Sequence, residues 1–386
     1  TGAEAVIGDP FSSTAGQWRS LYFTYSLHYA YKSRYMADFS IRRDGSTKFG
    51  PDNRWGTFPA FSLRWNISNE PWVKEHLPWL SMLSIRPGVG IVGTQPGSEG
   101  LYFSKYSNGS GYMREGSTYP SNVQLKNLRW EKKKTWNLGF DFGFLNDKIT
   151  GNIELYRQYT SDLLMQNVKI ASSSGYTQLA WDNVGKMKNV GWEFNINSNN
   201  LIKFGKVGVD VNVTFANNSS TVTEMEETCL KMYNEEFNHS NGSYMARLEV
   251  DKPLGAIYGF RYKGVYQYTD YTPQEVPGVS GPNAPVARDA VGNVVTDDKG
   301  IAKPMTFCFG TGSEYEFKGG DAIYEDINHD GTINELDIVY LGSSLPKITG
   351  GFGFKIKYGR WTLNNQFNFR YGNKIINMNR ANGDAM

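Results

Sequence analysis

Between Trp136 and Tyr159, hydrophobic and polar residues alternate along two arms. The first arm sets Trp136, Leu138, Phe140, Phe142 and Phe144 against Asn137, Gly139, Asp141 and Gly143. After a polar turn, Leu145-Asn146-Asp147-Lys148, the second sets Ile149, Ile153, Leu155 and Tyr159 against Thr150, Asn152, Glu154 and Gln158. Side chains of a strand point alternately to its two faces, so this stretch predicts a β-hairpin with one apolar and one polar side. The polar side carries carboxylates, amides and glycines instead of the Lys-rich mixture of a water-facing surface.

The same unit recurs along the chain. Leu21, Phe23, Tyr25, Leu27, Tyr29 and Tyr31 alternate with smaller or polar residues, and a turn at Lys32-Ser33-Arg34 leads to a second arm near Tyr35–Ile41. Further strands carry Phe61, Leu63, Trp65 and Ile67, then Trp192, Phe194 and Ile196, then Val207, Val209, Val211, Val213 and Phe215. A last hairpin pairs Phe352, Phe354 and Ile356 with Trp361, Leu363, Phe367 and Phe369. Residues 81–92 read as a strand weakened by Pro87. Residues 68–79 read as a connection with a short helical turn, and 217–345 as largely irregular apart from a strand-like Ile257–Gln267.

Turns at one end of these strands are short (32–35, 145–148, 199–205, 357–360), and the loops at the other end are long. That asymmetry, over about ten strands, predicts an all-β fold: an antiparallel transmembrane β-barrel with short periplasmic turns and long extracellular loops. Residues 1–386 then form part of one barrel domain, with 217–345 a large extracellular loop region. Half-buried soluble sheets alternate too, as in propellers, solenoids and sandwiches. The long strands and the density of aromatic and β-branched residues on one face favour the membrane.

Composition narrows this further. Apolar residues make up 39%, aromatic residues 15%, and there are 42 glycines. No apolar run is long enough for a transmembrane helix, and a barrel needs none, because its hydrophobicity is spread over alternating positions. A net charge of +2 gives no reason to expect nucleic acid as a partner. Cys229 and Cys308 fall in the long inter-strand region; a disulfide and two free thiols are both open. The chain begins at Thr1 without a start Met, ends on a polar stretch with no closing strand, and both ends read as cut.

One motif carries chemistry. The run from Asp326 to Asp337 (DINHDGTINELD) fits the twelve-residue calcium loop. Asp326, Asn328 and Asp330 supply oxygens, Gly331 takes the sharp turn, Thr332 offers its carbonyl, Asn334 a side-chain or water-mediated contact, and Asp337 the closing carboxylate. A hard cation needs several converging oxygens, and this spacing folds them around one point. Asp337 stands where helix-flanked calcium loops have Glu, which weakens the site and makes Mg²⁺ an alternative to Ca²⁺. Without flanking amphipathic helices the loop reads as a structural clip, with Ile333 pointing inward. The four histidines have no metal spacing, no nucleophile-and-base set stands out, and Gly88-Val89-Gly90-Ile91-Val92-Gly93 lacks the βαβ context of a nucleotide cradle. No enzyme is expected.

Several segments resemble the SusC/RagA family of TonB-dependent transporters of the Bacteroidetes outer membrane. They are Arg42–Phe58 (RRDGSTKFGPDNRWGTF), the opening LRWEKKKTWNLGFDFGF, Asn183–Glu193 (NVGKMKNVGWE), Tyr258–Gln267 (YGFRYKGVYQ), Gly320-Asp321 before the acidic loop, and Arg370-Tyr371-Gly372-Asn373. The resemblance implies a barrel of about 22 strands around a plug, with a SusD-like lipoprotein as lid and energy from TonB. It implies import of a glycan or peptide, in an outer membrane whose lipid and lipopolysaccharide the barrel contacts. The sequence covers the middle and later barrel; the plug and the TonB box are expected outside it, since a half barrel leaves edges that a bilayer forbids. Two alternatives stand beside this: a passive porin or adhesin barrel, and a soluble β-rich carbohydrate-binding module with structural calcium. Loop aromatics such as Trp55, Tyr102, Tyr106, Tyr112 and Trp181 suit sugar stacking and ordinary packing equally, so substrate-binding residues stay unassigned.

Overall fold

A computed structural model describes residues 16–109, 117–199, 202–234, 245–270, 273, 276–308 and 314–377; Tyr112, one of the loop aromatics, lies outside them. Ten long strands form one sheet: β1 Ser20–Tyr31, β2 Tyr35–Ser46, β3 Trp55–Asn66, β4 Leu80–Thr94, β5 Glu131–Phe144, β6 Ile149–Ser161, β7 Gly185–Ser198, β8 Val207–Met225, β9 Ile348–Tyr358 and β10 Trp361–Tyr371. Each pairs with the next in sequence, and a short arm, Ile202–Phe204, also pairs with β8. From β1 through β8 each pairing is antiparallel, and the sheet is an up-and-down meander. Among the described residues it is open, with β1 and β10 as its two edges.

Register carries the alternation across the sheet. Phe39 pairs with Phe61, Leu138 with Leu155, and Leu155 with Trp192, so apolar residues meet apolar ones strand after strand. The other face pairs His28 with Asp38, Asp141 with Asn152, and Asn195 with Thr214. Large apolar side chains remain exposed on the first face, including Leu27, Leu63, Trp136, Leu155 and Leu363. In water such a surface would be an aggregation hazard; in a bilayer it is the solvated side. Tyr31, Tyr35, Trp65 and Trp79 mark its turn-side border, where amphipathic rings suit a membrane interface.

Pro87 sits inside β4 despite lacking an N–H donor. It pairs with Leu138 of β5, while the β3–β4 ladder has no paired residues between Ser62↔Gly88 and Trp65↔Ile85. The interruption spares β3 an unmet acceptor opposite the proline.

The connections are unequal. Lys32 and Ser33 turn the chain with φ of 49° and 54°, and Leu145, Asn146 and Asp147 take 55°, 56° and 59°. Left-handed backbone disfavours residues with a Cβ, and Asn and Asp bear it best. Asp147 Oδ1 also accepts a hydrogen bond from Ser81 Oγ at 2.7 Å. The β3–β4 link is the longest on this side and contains a 3₁₀ turn, Ile67–Asn69, and a short helix, α1, Pro71–His76. On the loop side, residues of the 95–130 loop pack around Phe49, which is fully buried against Phe58, Leu101, Leu125, Leu128 and Trp130. Lys48 is buried beside it and donates to the carbonyls of Pro96 and Gly97 at 3.0 and 3.1 Å.

The chain divides into two compact units, residues 1–229 with 350–368, and 230–349 with 369–386. β8 continues to Met225, ten residues beyond where the Val/Phe alternation fades. After Ala216 it trades apolar for amide and hydroxyl side chains (Asn217, Asn218, Ser219, Ser220), which hides the strand from a hydrophobicity pattern. In the second unit the strand-like 257–267 is two strands in different sheets. Ala256–Gly259 pairs with Val339–Ser343, and Tyr262–Val265 with Ala322–Tyr324. A core of Phe260, Ala287, Met305, Phe317 and Ile333 gives this unit its own centre. Both cysteines are free thiols, Cys229 buried and Cys308 half-buried.

Candidate functional site

The polar face of the sheet gathers its charges at one place. Asp141 of β5 receives Arg86 of β4 in a two-point clamp, Nε to Oδ2 and Nη2 to Oδ1, both 2.8 Å. Arg64 of β3 reaches the same carboxylate at 3.0 Å, and Ser84 Oγ donates to it at 2.8 Å. Arg86 Nη2 also contacts Glu154 of β6. Gly139, directly opposite Glu154, makes room, since a Cβ there would press on both Glu154 and Arg86. Ser84 is almost fully buried, and Asp141 retains 14% side-chain exposure. Planar guanidinium forks on carboxylates are both strong and directional, so four strands are pinned in register on this face. One acceptor stays unmet: Glu154 Oε2 is buried without a partner, and Glu193 of β7 lies opposite in the register.

The sequence shows these carboxylates and guanidiniums only as scattered even positions on separate strands. What brings them together is register, which the hydrophobic pattern does not reveal beyond adjacent hairpins.

The Asp326–Asp337 loop lies in the second unit, and its donors are turned mainly on its own backbone. Asp326 Oδ2 accepts from Gly331 N at 2.8 Å, Asn328 Oδ1 from Asp330 N at 3.1 Å, and Asp330 Oδ1 from Thr332 N at 2.7 Å. Asp337 accepts from Ile327 N and Asn334 N at 2.8 and 2.9 Å, while Asn334 Oδ1 caps Leu336 N at 2.8 Å. Gly331 has φ +84°, the left-handed backbone expected at the sharp turn, and a Cβ there would meet the Ala287 Cβ at 2.6 Å. Thr332 and Ile333 pair with Thr306 and Phe307, and Ile333 is fully buried in the core. Asp337 is also fully buried; burial pushes its carboxyl above the usual range, and the Asp326 and Asp330 charges add to this. Among the described residues no three carboxylate, imidazole or thiol side chains converge as a ready metal cage. The set does have one feature that fits a cation: Asp326 Oδ1 is buried with no hydrogen-bond partner.

A ten-stranded meander with a lipid-compatible face and a charged face is the geometry of an outer-membrane barrel wall. The family model for TonB dependent receptor-like β-barrels matches residues 2–384. The chain belongs to that family. It is accordingly an outer-membrane protein, built on the barrel of the TonB-dependent receptors. TonB-dependent receptor P39 of Formosa agariphila is 28% identical over 353 residues, 90% of this chain and 32% of the relative. TonB-dependent receptor SusC of Bacteroides thetaiotaomicron is 40% identical over 203 residues, 50% of this chain and 20% of the relative. A solved structure of the RagAB peptide transporter superposes with a TM-score of 0.63 at 21% identity, over 92% of this chain and 34% of that one. That likeness shows the shared fold. This chain spans about a third or less of the length of the curated relatives it matches.

Proposed function

We propose that this chain is part of the barrel wall of a TonB-dependent importer that takes a glycan or peptide nutrient across the outer membrane. The observation that carries the reading is the two-faced sheet, apolar on one side and lined with Arg, Asp, Glu and Asn on the other, in a chain of this family. The open edges at β1 and β10 require further strands to close the barrel, because exposed ladder groups are untenable in hydrocarbon. The short turns lie in the periplasm, so residues 226–347 and the other long loops lie outside the cell. A SusD-like lipoprotein is the partner over that mouth, and TonB supplies the energy through a part of the protein beyond this chain. The polar face then borders the solute path, and its role is transport, not bond-making chemistry. The test is uptake by cells carrying the full-length gene, with and without TonB. Energised import predicts that uptake is lost without TonB; a passive porin would keep it.

The acidic loop is a Ca²⁺ clip within this arrangement, with Mg²⁺ the weaker competitor. The unmet Asp326 Oδ1 and the buried Asp337 favour it, since both leave carboxylate oxygen in need of positive charge. Asp326, Asn328, Asp330, Asn334 and Asp337 would supply side-chain oxygens and Thr332 its carbonyl. The ion would join the two ends of the loop and stiffen the region near the lid. Isothermal titration with Ca²⁺ tests this: Asp326→Ala with Asp330→Ala should abolish binding and weaken lid affinity. Unchanged metal content and lid affinity in that variant would refute it.

A further inference from the structure

The acidic loop of the second unit has a cation of the chain's own beside it. Lys303 Nζ donates to the carbonyl oxygen of Asp330 at 2.9 Å. The backbone of Lys303 is held from both sides: its N–H donates to Val295 O at 2.8 Å, and Ala287 N donates to its carbonyl at 2.9 Å. Ala287 is fully buried and stands against Gly331, where an added Cβ would meet Ala287 Cβ at 2.6 Å and Lys303 Nζ at 3.7 Å. The ammonium is therefore set beside the loop by the same short ladder that packs the loop's sharp turn.

Two other cations near the loop are engaged elsewhere. Arg261 and Lys263 both pair with Glu325, the residue before the loop, Lys263 at 2.8 Å. Lys303 reaches the loop at its fifth position, through a carbonyl. The backbone ligand of a twelve-residue calcium loop is the carbonyl of position seven, here Thr332, whose hydroxyl is turned to Thr306 Oγ1 at 3.0 Å. An ion and Lys303 thus do not compete for the same oxygen. What the lysine imposes is a fixed positive charge beside a site for a doubly charged ion. Its side chain is exposed, so removing it leaves no cavity.

We propose that Lys303 sets the affinity of the Asp326–Asp337 loop for a divalent cation, holding it weak enough to fill only at the calcium levels of the medium outside the cell. Lys303 takes this role only if the loop holds an ion, as read above; its charge then regulates that site. Extracellular calcium modules bind at about 10⁻⁴–10⁻³ M, and a site in that range follows the medium instead of staying filled. The stiffness of the loop region then tracks external calcium.

The experiment is isothermal titration of the full-length protein in neutral detergent with calcium chloride, with Asp326→Ala/Asp330→Ala as the blank. A unit charge about 8 Å from a divalent ion in water alters its binding about fivefold when salt is low. Lys303→Met should therefore bind Ca²⁺ about fivefold more tightly than the wild type in about 0.01 M salt. Lys303→Gln, which keeps a donor without the charge, should match it. Lys303→Arg keeps the charge and should stay within about twofold of the wild type. In about 0.5 M salt the gap between Lys303→Met and wild type should shrink below about twofold, because the Debye length is then under about 5 Å. Loss of a merely structural contact would not respond to salt. Equal affinities of wild type and Lys303→Met at low salt, or a gap that persists at high salt, overturn the role of Lys303 and leave the ion loop standing. Heats equal to the blank's for the wild type and every Lys303 variant overturn the ion loop itself, and the role of Lys303 with it.

Discussion

Removing the Asp141 carboxylate should loosen the sheet at the centre of its polar face. Asp141→Ala strips the shared acceptor from Arg86, Arg64 and Ser84 at once, leaving two guanidiniums close together and a buried hydroxyl without its partner. Breaking a fully buried ion pair on one side costs roughly 3–5 kcal/mol. Here the side chains of Arg86 and Arg64 are 31% and 40% exposed, so water recovers part of that. We expect a loss of about 2 kcal/mol after this discount. Asp141→Asn keeps an acceptor for Ser84 and should cost about half as much. Arg86→Ala in the Asp141→Ala background should then cost less than in the wild type, the remainder being its contact with Glu154, giving a coupling of about 1–2 kcal/mol in the double-mutant cycle. The assay is urea unfolding of the full-length barrel in detergent, followed by tryptophan fluorescence. Additive effects of the two single changes, or a loss under about 0.5 kcal/mol for Asp141→Ala, would mean that the interior charges are separately hydrated and do not pin the strands.

Three further outcomes follow from named contacts. Glu70 accepts from Tyr35 at 2.6 Å, Trp65 Nε1 at 3.1 Å and Arg34 at 3.3 Å, and the Tyr35 hydroxyl foremost holds its carboxyl below the usual range. Its stabilisation is therefore complete above the unfolded carboxylate pKa of about 4.3 and lost as pH falls through the lower folded value. Protease nicking of the 67–79 link should rise on that acid limb, and Glu70→Gln should flatten the limb. Phe49→Ala should cost about 3–4 kcal/mol, because Phe49 has no exposed surface and its ring centre lies 4.8 Å from that of Trp130; faster protease cleavage within 95–130 is the readout. Gly331→Ala should cost on the order of 2 kcal/mol in the thermal stability of the second unit, from left-handed backbone plus contact with Ala287.

The hydrophobic pattern revealed the long strands where one face is mostly apolar, as in β5, β6 and β8 up to Phe215. It failed where the physics shifts from lipid contact to polar packing. The end of β8 carries amide and hydroxyl residues on both faces, and the small sheets of 230–349 close around a local core instead of facing lipid. The acidic loop was legible because its spacing is local, including the left-handed Gly331 and the buried Ile333. The Arg64–Asp141–Arg86–Glu154 cluster was not, because its members stand on four strands and meet only through register.

The central claim is that this sheet stands in a bilayer with its two faces in different solvents. Single cysteines at consecutive positions from Asn152 to Gln158 of β6, spin-labelled in the full-length protein in liposomes, test it most directly. Accessibility to oxygen and to a water-soluble nickel complex should alternate with a period of two, Ile153, Leu155 and Arg157 facing lipid and Asn152, Glu154 and Tyr156 facing water. Uniform access of the nickel complex to all seven sites would contradict a membrane barrel and place the sheet in water.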